Sequence, residues 1–263
     1  GTNMIINLLN SVDYLFETAE TPHFTQSHTG DIDQNRINQW TSDNDLVETQ
    51  QTVEMINIAG ANLYINSEIP EKQSFIDNGF VKQNEEFDYL LNLDNEIIEI
   101  NKGEIAVPIH YMESKDLKLG DTITIKNNLN EITFTITDFV RDSQMNPSII
   151  SSKRFVVSIA DFNTIKSNFG ESEYLITFRL KDLNSLQQFR NQYSQSNLPQ
   201  KGPTIDIQLL KLMNSMSDGL IAAVIILISI LLCVISLLCL RFVILLTLEE
   251  DYREIGVMKA IGI

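Results

Sequence analysis

Hydrophobic positions occur in two different ways along this chain. Over most of its length they come as short bursts between polar and turn-forming residues. "GDIDQNRINQW" reads as a helix start: Asp31 can cap, Gln34 stands three residues on at capping-box spacing, and Ile32, Ile37 and Trp40 share an apolar face. "ETQQTVEMINIAGANLYIN" alternates as two strands around Gly60 and Ala61, and "FDYLLNL" and "EIIEI" read as further short strands. The next stretch predicts a strand at Ile105–Val107, a short helix from His110 to Leu117 and a turn at Leu119–Asp121. Strands follow at Thr122–Lys126 and Ile132–Val140, joined by a hairpin at Asn127–Asn130. "RFVVS" and "EYLITFRL" add strand candidates. "DLNSLQQFRNQYSQS" is an amphipathic helix with Leu183, Leu186 and Phe189 on one face. Helices and strands interleave, so the expected class is α+β.

Towards the end the bursts fuse. After Pro199 and Pro203 a helix is expected from Ile205 onward, running into "GLIAAVIILISILLCVISLLCL", Gly219 to Leu240, which carries no charge. At 1.5 Å per residue such a helix covers roughly 30 Å, about one hydrocarbon core. The competing reading is a buried helix of a large soluble domain, which rarely needs so long an uncharged stretch. "RFVILLTL" continues the run, interrupted by Arg241, whose long stem can snorkel its guanidinium to the membrane interface. Phe242 to Leu248 are then expected to project past the bilayer. Lys201 and Lys211 precede the run and Arg241, Arg253 and Lys259 follow it, a slight bias towards a cytoplasmic C-terminus.

Composition narrows the function classes. There are 19 Lys and Arg against 35 Asp and Glu, a net charge of −16. Such a surface argues against nucleic acid, which needs a basic patch to displace counterions, and against docking on anionic headgroups. Both cysteines, Cys233 and Cys239, lie in the apolar run, so the preceding region has no disulfide framework and no thiolate zinc site. The opening "GTNMIINLLNSVDYLF" lacks the basic and apolar regions of a signal peptide.

Candidate chemistry is sparse. His23, His28, Asp31 and Asp33 are metal-ligating residue types, but the histidine spacing does not put both imidazoles on one helix face, and a polar loop before a capped helix is the expectation. His110 is expected at a surface or helix start. Gly120-Asp121 is a turn signal. No GxSxG elbow and no GxxxxGK[ST] phosphate loop occurs. No catalytic residue, cofactor site or metal site is therefore expected.

The ending carries the most specific signal. "REIGVMKAIG", Arg253 to Gly262, directly after the long run, resembles the signature of FtsX-like permeases, the membrane subunits of the MacB class of ABC transporters. "GEIAVPIHYMESKDLKLGDTITI", Gly103 to Ile125, resembles their ectodomain pattern of strand, short helix and "GDTI" opening a strand. "LFETAETPHFTQSHTGDID", Leu15 to Asp33, resembles the early ectodomain of Firmicutes members. The resemblance implies an extracytoplasmic mixed α/β domain, like the periplasmic core of MacB, at 1–215. It implies a transmembrane helix with a cytoplasmic extension at 216–248 and a cytoplasmic coupling segment at 249–263. It also implies that Met4 to Leu9 end a preceding membrane helix and that more helices follow Ile263, so the chain is read as a single-span fragment of a multi-pass cell-membrane protein.

The resemblance further implies an ABC ATP-binding subunit at the cytoplasmic face and a second permease copy or homologue. An extracellular peptide, lipoprotein, amphiphile or wall-associated protein would be handled outside. The coupling residues would be Arg253, Glu254, Ile255, Gly256, Met258, Lys259 and Gly262. Ile255, Met258 and Ile261 can form an apolar ridge, and Arg253, Glu254 and Lys259 can pair with the partner's rim. Gly256 allows close approach, and Gly262 can end the helix in a left-handed conformation. A juxtamembrane helix lying on lipid is the bland alternative, opposed by Glu249, Glu250 and Asp251. Two other functions compete: an FtsX-type regulator that transmits ATPase motion to cell-wall hydrolases, and a membrane-anchored extracytoplasmic enzyme, for which no constellation is visible.

Overall fold

The apolar bursts become strands by pairing across long separations in sequence. The strands are β1 (Phe24–Thr29), β2 (Val47–Ile58), β3 (Leu63–Ile65), β4 (Asp77–Val81), β5 (Glu104–Pro108), β6 (Thr122–Lys126), β7 (Glu131–Val140), β8 (Ser152–Val157), β9 (Glu171–Leu180) and β10 (Thr204–Asp206). The helices are α1 (residues 12–18), α2 (Gln34–Ser42), α3 (Ile109–Lys115), α4 (Ile159–Asn168), α5 (Leu186–Gln195) and α6 (Ile207–Ala260). The computed structural model describes residues 12–72, 74–147, 149–260 and 262, so Met4–Leu9 lies outside the described residues. The chain divides into two units, Gly1–Ser215 and Met216–Ile263.

The first unit is an α+β domain on one mixed sheet of order β10-β1-β9-β2-β4-β8-β5-β7-β6-β3. β4 and β8 are parallel, as are β5 and β7, and the other pairings are antiparallel. Successive side chains on a strand point to opposite faces. In β4, β8 and β5 both faces are covered: Val81, Val156 and Ala106 enter one core, while Phe80, Phe155, Ile105 and Val107 enter another. That is why "GFV", "RFVV" and "EIAV" read as continuous apolar runs rather than alternations.

Helices complete each core. α2 and α5 close the first with an aromatic cluster of Phe24, Trp40, Phe178, Phe189 and Tyr193, ring centroids 5.1 to 6.3 Å apart. α3 and α4 close the second with Tyr111, Phe162 and Ile165. α4 was not foreseen, although "SIAD" is a readable start. Ser158 Oγ accepts from Asp161 N, and the Asp161 carboxylate accepts from Ser158 Oγ and from Gly103 N.

Several expectations need correction. The cap of α2 is Asp33, whose carboxylate accepts from Arg36 N, not Asp31; Gln34 bonds to Asn38 instead of closing a capping box. "FDYLLNL" and "EIIEI" are irregular. Their apolar residues Phe87, Leu90, Leu91 and Ile98 are buried as strand residues would be, but scattered partners take the place of a ladder: Asp88 N, Tyr89 N and Leu91 N donate to Glu20 O, Ala19 O and Arg141 O, Gln83 bonds to Leu90 N, Leu90 O and Ile98 O, and Asn84 bonds to Asp88 O. Leu183 precedes α5 in a short 3-10 turn and is exposed, and Tyr193, one turn beyond Phe189, fills the core instead. Ile205 belongs to the edge strand β10, and the helix begins at Ile207.

The polar stretch before α2 is β1, a strand buried along Phe24–His28. Its polar side chains are satisfied by specific partners, such as Gln26 with Gly202 O and Thr204. His23 and His28 are spent on backbone. His23 Nδ1 accepts from Leu180 N, while His28 Nδ1 accepts from Lys201 N and its Nε2 meets Asp31 O. No group of metal-ligating side chains gathers among the described residues. His110 is the second residue of α3, edge-on to Tyr111.

Candidate functional site

Three features of the structure bear on function: the apolar helix and its ending, the start of that helix in the α+β domain, and a buried charge network.

α6 contains a window, Val224–Leu245, of 22 residues with mean hydropathy 2.9 and none of it buried. It is long and apolar enough to cross a membrane. A helix that is apolar all round must be covered by a protein core or by lipid. Among the described residues of the window the apolar side chains are exposed. Arg241 lies inside the window, about one turn before its end, and the apolar stretch continues through Phe242–Leu245. The helix continues to Ala260 and so includes Arg253, Glu254, Ile255, Gly256, Met258 and Lys259. Beyond it, Gly262 has φ +84°, the left-handed region that favours glycine.

At its other end α6 starts within the α+β domain. Phe24 of β1 faces Asp206 of β10 across the ladder, and Ile207 N donates to His23 O at 3.0 Å. Asp206 caps the helix, its Oδ1 accepting from Leu209 N at 2.8 Å, while its Oδ2 accepts from Arg190 Nη1 of α5 at 2.8 Å. Lys211 Nζ reaches Asp13 of α1 at 3.1 Å, and Leu210 is buried in the first core. Sheet edge, α5 and α1 therefore all hold the first turns of α6. "TIDIQLL" contained the signal, an aspartate directly before an apolar helix, but the β10 pairing could not be read. Asp206→Ala should cost about 1 kcal/mol of domain stability, while Asp206→Asn, which keeps the cap and loses the partly exposed ion pair, should cost less. Guanidinium denaturation followed by the fluorescence of Trp40, the single tryptophan, checks both.

His23 sits beside this start. Burial, with the Arg179 guanidinium, pushes its imidazole down to about 4 from an ordinary 6.5, against the opposing pull of Glu48. The fold thus holds the neutral ring. Above pH 6.5 folded and unfolded chains are both neutral and the full stability is present. As pH falls from 6.5 towards 4 the unfolded chain takes a proton that the fold refuses, and stability declines. Unfolding curves across this range should show that slope in the wild type and a shallower one in His23→Gln.

The charge network was not foreseen. Arg154 of β8 is fully buried and is clamped by two carboxylates. Its Nη1 donates to Asp88 Oδ2 and its Nη2 to Asp142 Oδ1, each at 2.6 Å, and its Nε donates to Asp142 Oδ2 at 2.6 Å. Gln144 Nε2 donates to Asp88 Oδ2 and its Oε1 accepts from Thr25 of β1. Asp142 also accepts from Gln144 N and Met145 N. Next to Arg154, Lys153 donates to the carbonyls of Met145, Pro147 and Ile150, and a segment between β7 and β8 is pinned from inside.

Arg154 thus meets two carboxylates in the interior, while Lys153 beside it is held by carbonyls. Burial opposes charge at each of them. At Asp142 the Arg154 guanidinium outweighs burial and holds the carboxyl below its usual range. At Asp88 burial, with Asp142 alongside, prevails and pushes it up. At Arg154 the two carboxylates outweigh burial and hold the cation above its ordinary value. Burial lowers Lys153 to about 8, so it remains charged at pH 7. The arrangement has no open approach for a substrate; it ties loops to the sheet.

No family model matches the chain, and no curated protein matches it. Among solved structures, the chain is similar to the periplasmic region of MacB from Actinobacillus actinomycetemcomitans. That similarity has a TM-score of 0.40 and 10% identity, covering 80% of this chain and 95% of that one.

Proposed function

We propose that this chain belongs to the permease subunit of an ABC transporter. In this reading the α+β domain is extracytoplasmic, α6 crosses the cell membrane, and residues 249–263 lie in the cytoplasm. ATP hydrolysis on a separate subunit would move the helix, and the helix would move the domain, handling peptides, lipoproteins or amphiphiles at the outer face. The strongest support is the sequence "REIGVMKAIG" following, in the same helix, an exposed apolar window long enough to cross a membrane. The start of α6 supports it too. Force on this helix would enter the domain through Asp206, Leu210 and β10, which are bonded or packed into the sheet and its core. The chain itself would contribute no catalysis.

The test is co-purification of the full-length permease with a co-expressed ATP-binding subunit, together with the ATPase rate of the pair. Association with stimulated hydrolysis supports the reading, and its absence overturns it. Capture of a cell-wall hydrolase by the same complex would turn the reading towards an FtsX-type regulator.

A further inference from the structure

The sheet has two ends. One carries the start of β1, the end of β9 and the beginning of β2, where Gln50 faces Phe178, and here α6 starts. At the other end, beyond Ile58 of β2 and before Glu171 of β9 and Asp77 of β4, lies an open groove of about 780 Å³. Asn57 and Ile58 line it, with the segment Phe169–Glu173 and the ridge Ser74–Ile76.

The polar lining of this groove is one-sided. Asp77, Glu171 and Glu173 contribute three carboxylates, and among the described lining residues there is no lysine, arginine or histidine. Asn57 spends its amide donor on Glu173 Oε2 at 2.7 Å, which leaves its own Oδ1 buried without a partner. Asn78 likewise spends its amide donor on Ile58 O and Ile76 O. The charged groups of the lining are all of one sign, so the missing complement is a cation. The rim is apolar. Phe75 is 96% exposed on the ridge, beside the partly buried Ile76 and Phe169. An aromatic ring next to carboxylates suits a cation on an apolar stem, through cation–π attraction and stem packing. With a net charge of −16, the chain's field steers the same kind of ligand.

We propose that this groove binds a basic polypeptide segment, with a lysine or arginine head among Asn57, Asp77, Glu171 and Glu173 and a neighbouring apolar side chain on Phe75. Its biological setting rests on the extracytoplasmic reading above; its chemistry does not. The site lies at the end of the sheet away from the start of α6.

The test uses the full chain in nanodiscs of zwitterionic phosphatidylcholine, titrated with a fluorescent, end-blocked peptide of alternating lysine and phenylalanine; empty nanodiscs give the lipid contribution. The expected result is saturable binding, weakened roughly tenfold or more by Glu171→Gln with Glu173→Gln and roughly threefold by Phe75→Ser. The exposed remote pair Glu99→Gln with Glu113→Gln should leave binding unchanged. Unaltered unfolding curves establish that each variant is folded. The proposal is overturned by no binding, by equal binding of an alternating glutamate and phenylalanine peptide, or by equal weakening from the remote pair, which would reduce the effect to overall charge. No ATP-binding subunit enters the assay, so its failure is separable from failure of the transporter reading.

Discussion

Arg154→Met is expected to cost the α+β domain about 3–5 kcal/mol, the usual penalty for removing one partner of a buried ion pair. Two carboxylates, Asp88 and Asp142, would then share an interior from which the guanidinium has gone, with Asp88 keeping Gln144 and Asn84 and Asp142 keeping two backbone amides. Domains of this size hold only about 5–15 kcal/mol in total, so the variant should unfold at far lower guanidinium concentration or fail to accumulate. Arg154→Lys keeps the charge but not the fork that engages both carboxylates, and should fall between the variant and wild type. A triple change, Arg154→Met with Asp88→Asn and Asp142→Asn, removes the stranded charges and should recover part of the loss. Recovery identifies desolvated charge as the cause; an Arg154→Met protein within about 1 kcal/mol of wild type would mean that the network contributes little net stability.

The second large effect is expected at the other end of the chain. Glu254→Arg with Met258→Asp should abolish co-purification with the ATP-binding subunit and the ATPase stimulation that depends on it. Residues four apart on a helix share a side, and both positions belong to α6. The double change reverses a charge and puts a carboxylate where an apolar contact is expected. Losing one buried anchor typically costs about 2 kcal/mol or more, and an uncompensated charge adds to that. Membrane insertion and the unfolding curve of the α+β domain should not change, because 254 and 258 belong to the second unit. Retained association with normal ATPase rates would mean that this stretch is a membrane-surface helix.

Legibility varied along the chain for identifiable reasons. The hairpin at Asn127–Asn130 was readable because its signal is local: Asn127 Oδ1 accepts from the amides of Leu129 and Asn130 within the turn itself. The turn before β6 was readable because Gly120, at φ +94°, adopts a conformation that disfavours other residues. β1 escaped because "FTQSHT" lacks apolar alternation; it is a strand because β9 and β10 pair with it, from some 150 and 180 positions away. "FDYLLNL" misled in the opposite direction. Its hydrophobicity marked burial correctly, but burial does not require a ladder when scattered backbone partners at Ala19, Glu20 and Arg141, with Gln83 and Asn84, satisfy the backbone.

The sequence by itself determined that an uncharged helix follows an α+β domain and leads into "REIGVMKAIG". Those features depend on composition and on spacing within a few turns, and a helix closes its own hydrogen bonds four residues apart. Tertiary structure alone decided that Arg154 is buried between Asp88 and Asp142, which lie 66 and 12 positions away in the chain. It alone gathered Asn57, Asp77, Glu171 and Glu173 around one groove at the end of the sheet. An aspartate or arginine reads as surface in any local window, since burying its charge is unfavourable until a partner arrives from a distant strand. The pairing of β2 with β9 and β4, and of β4 with β8, brings those partners together.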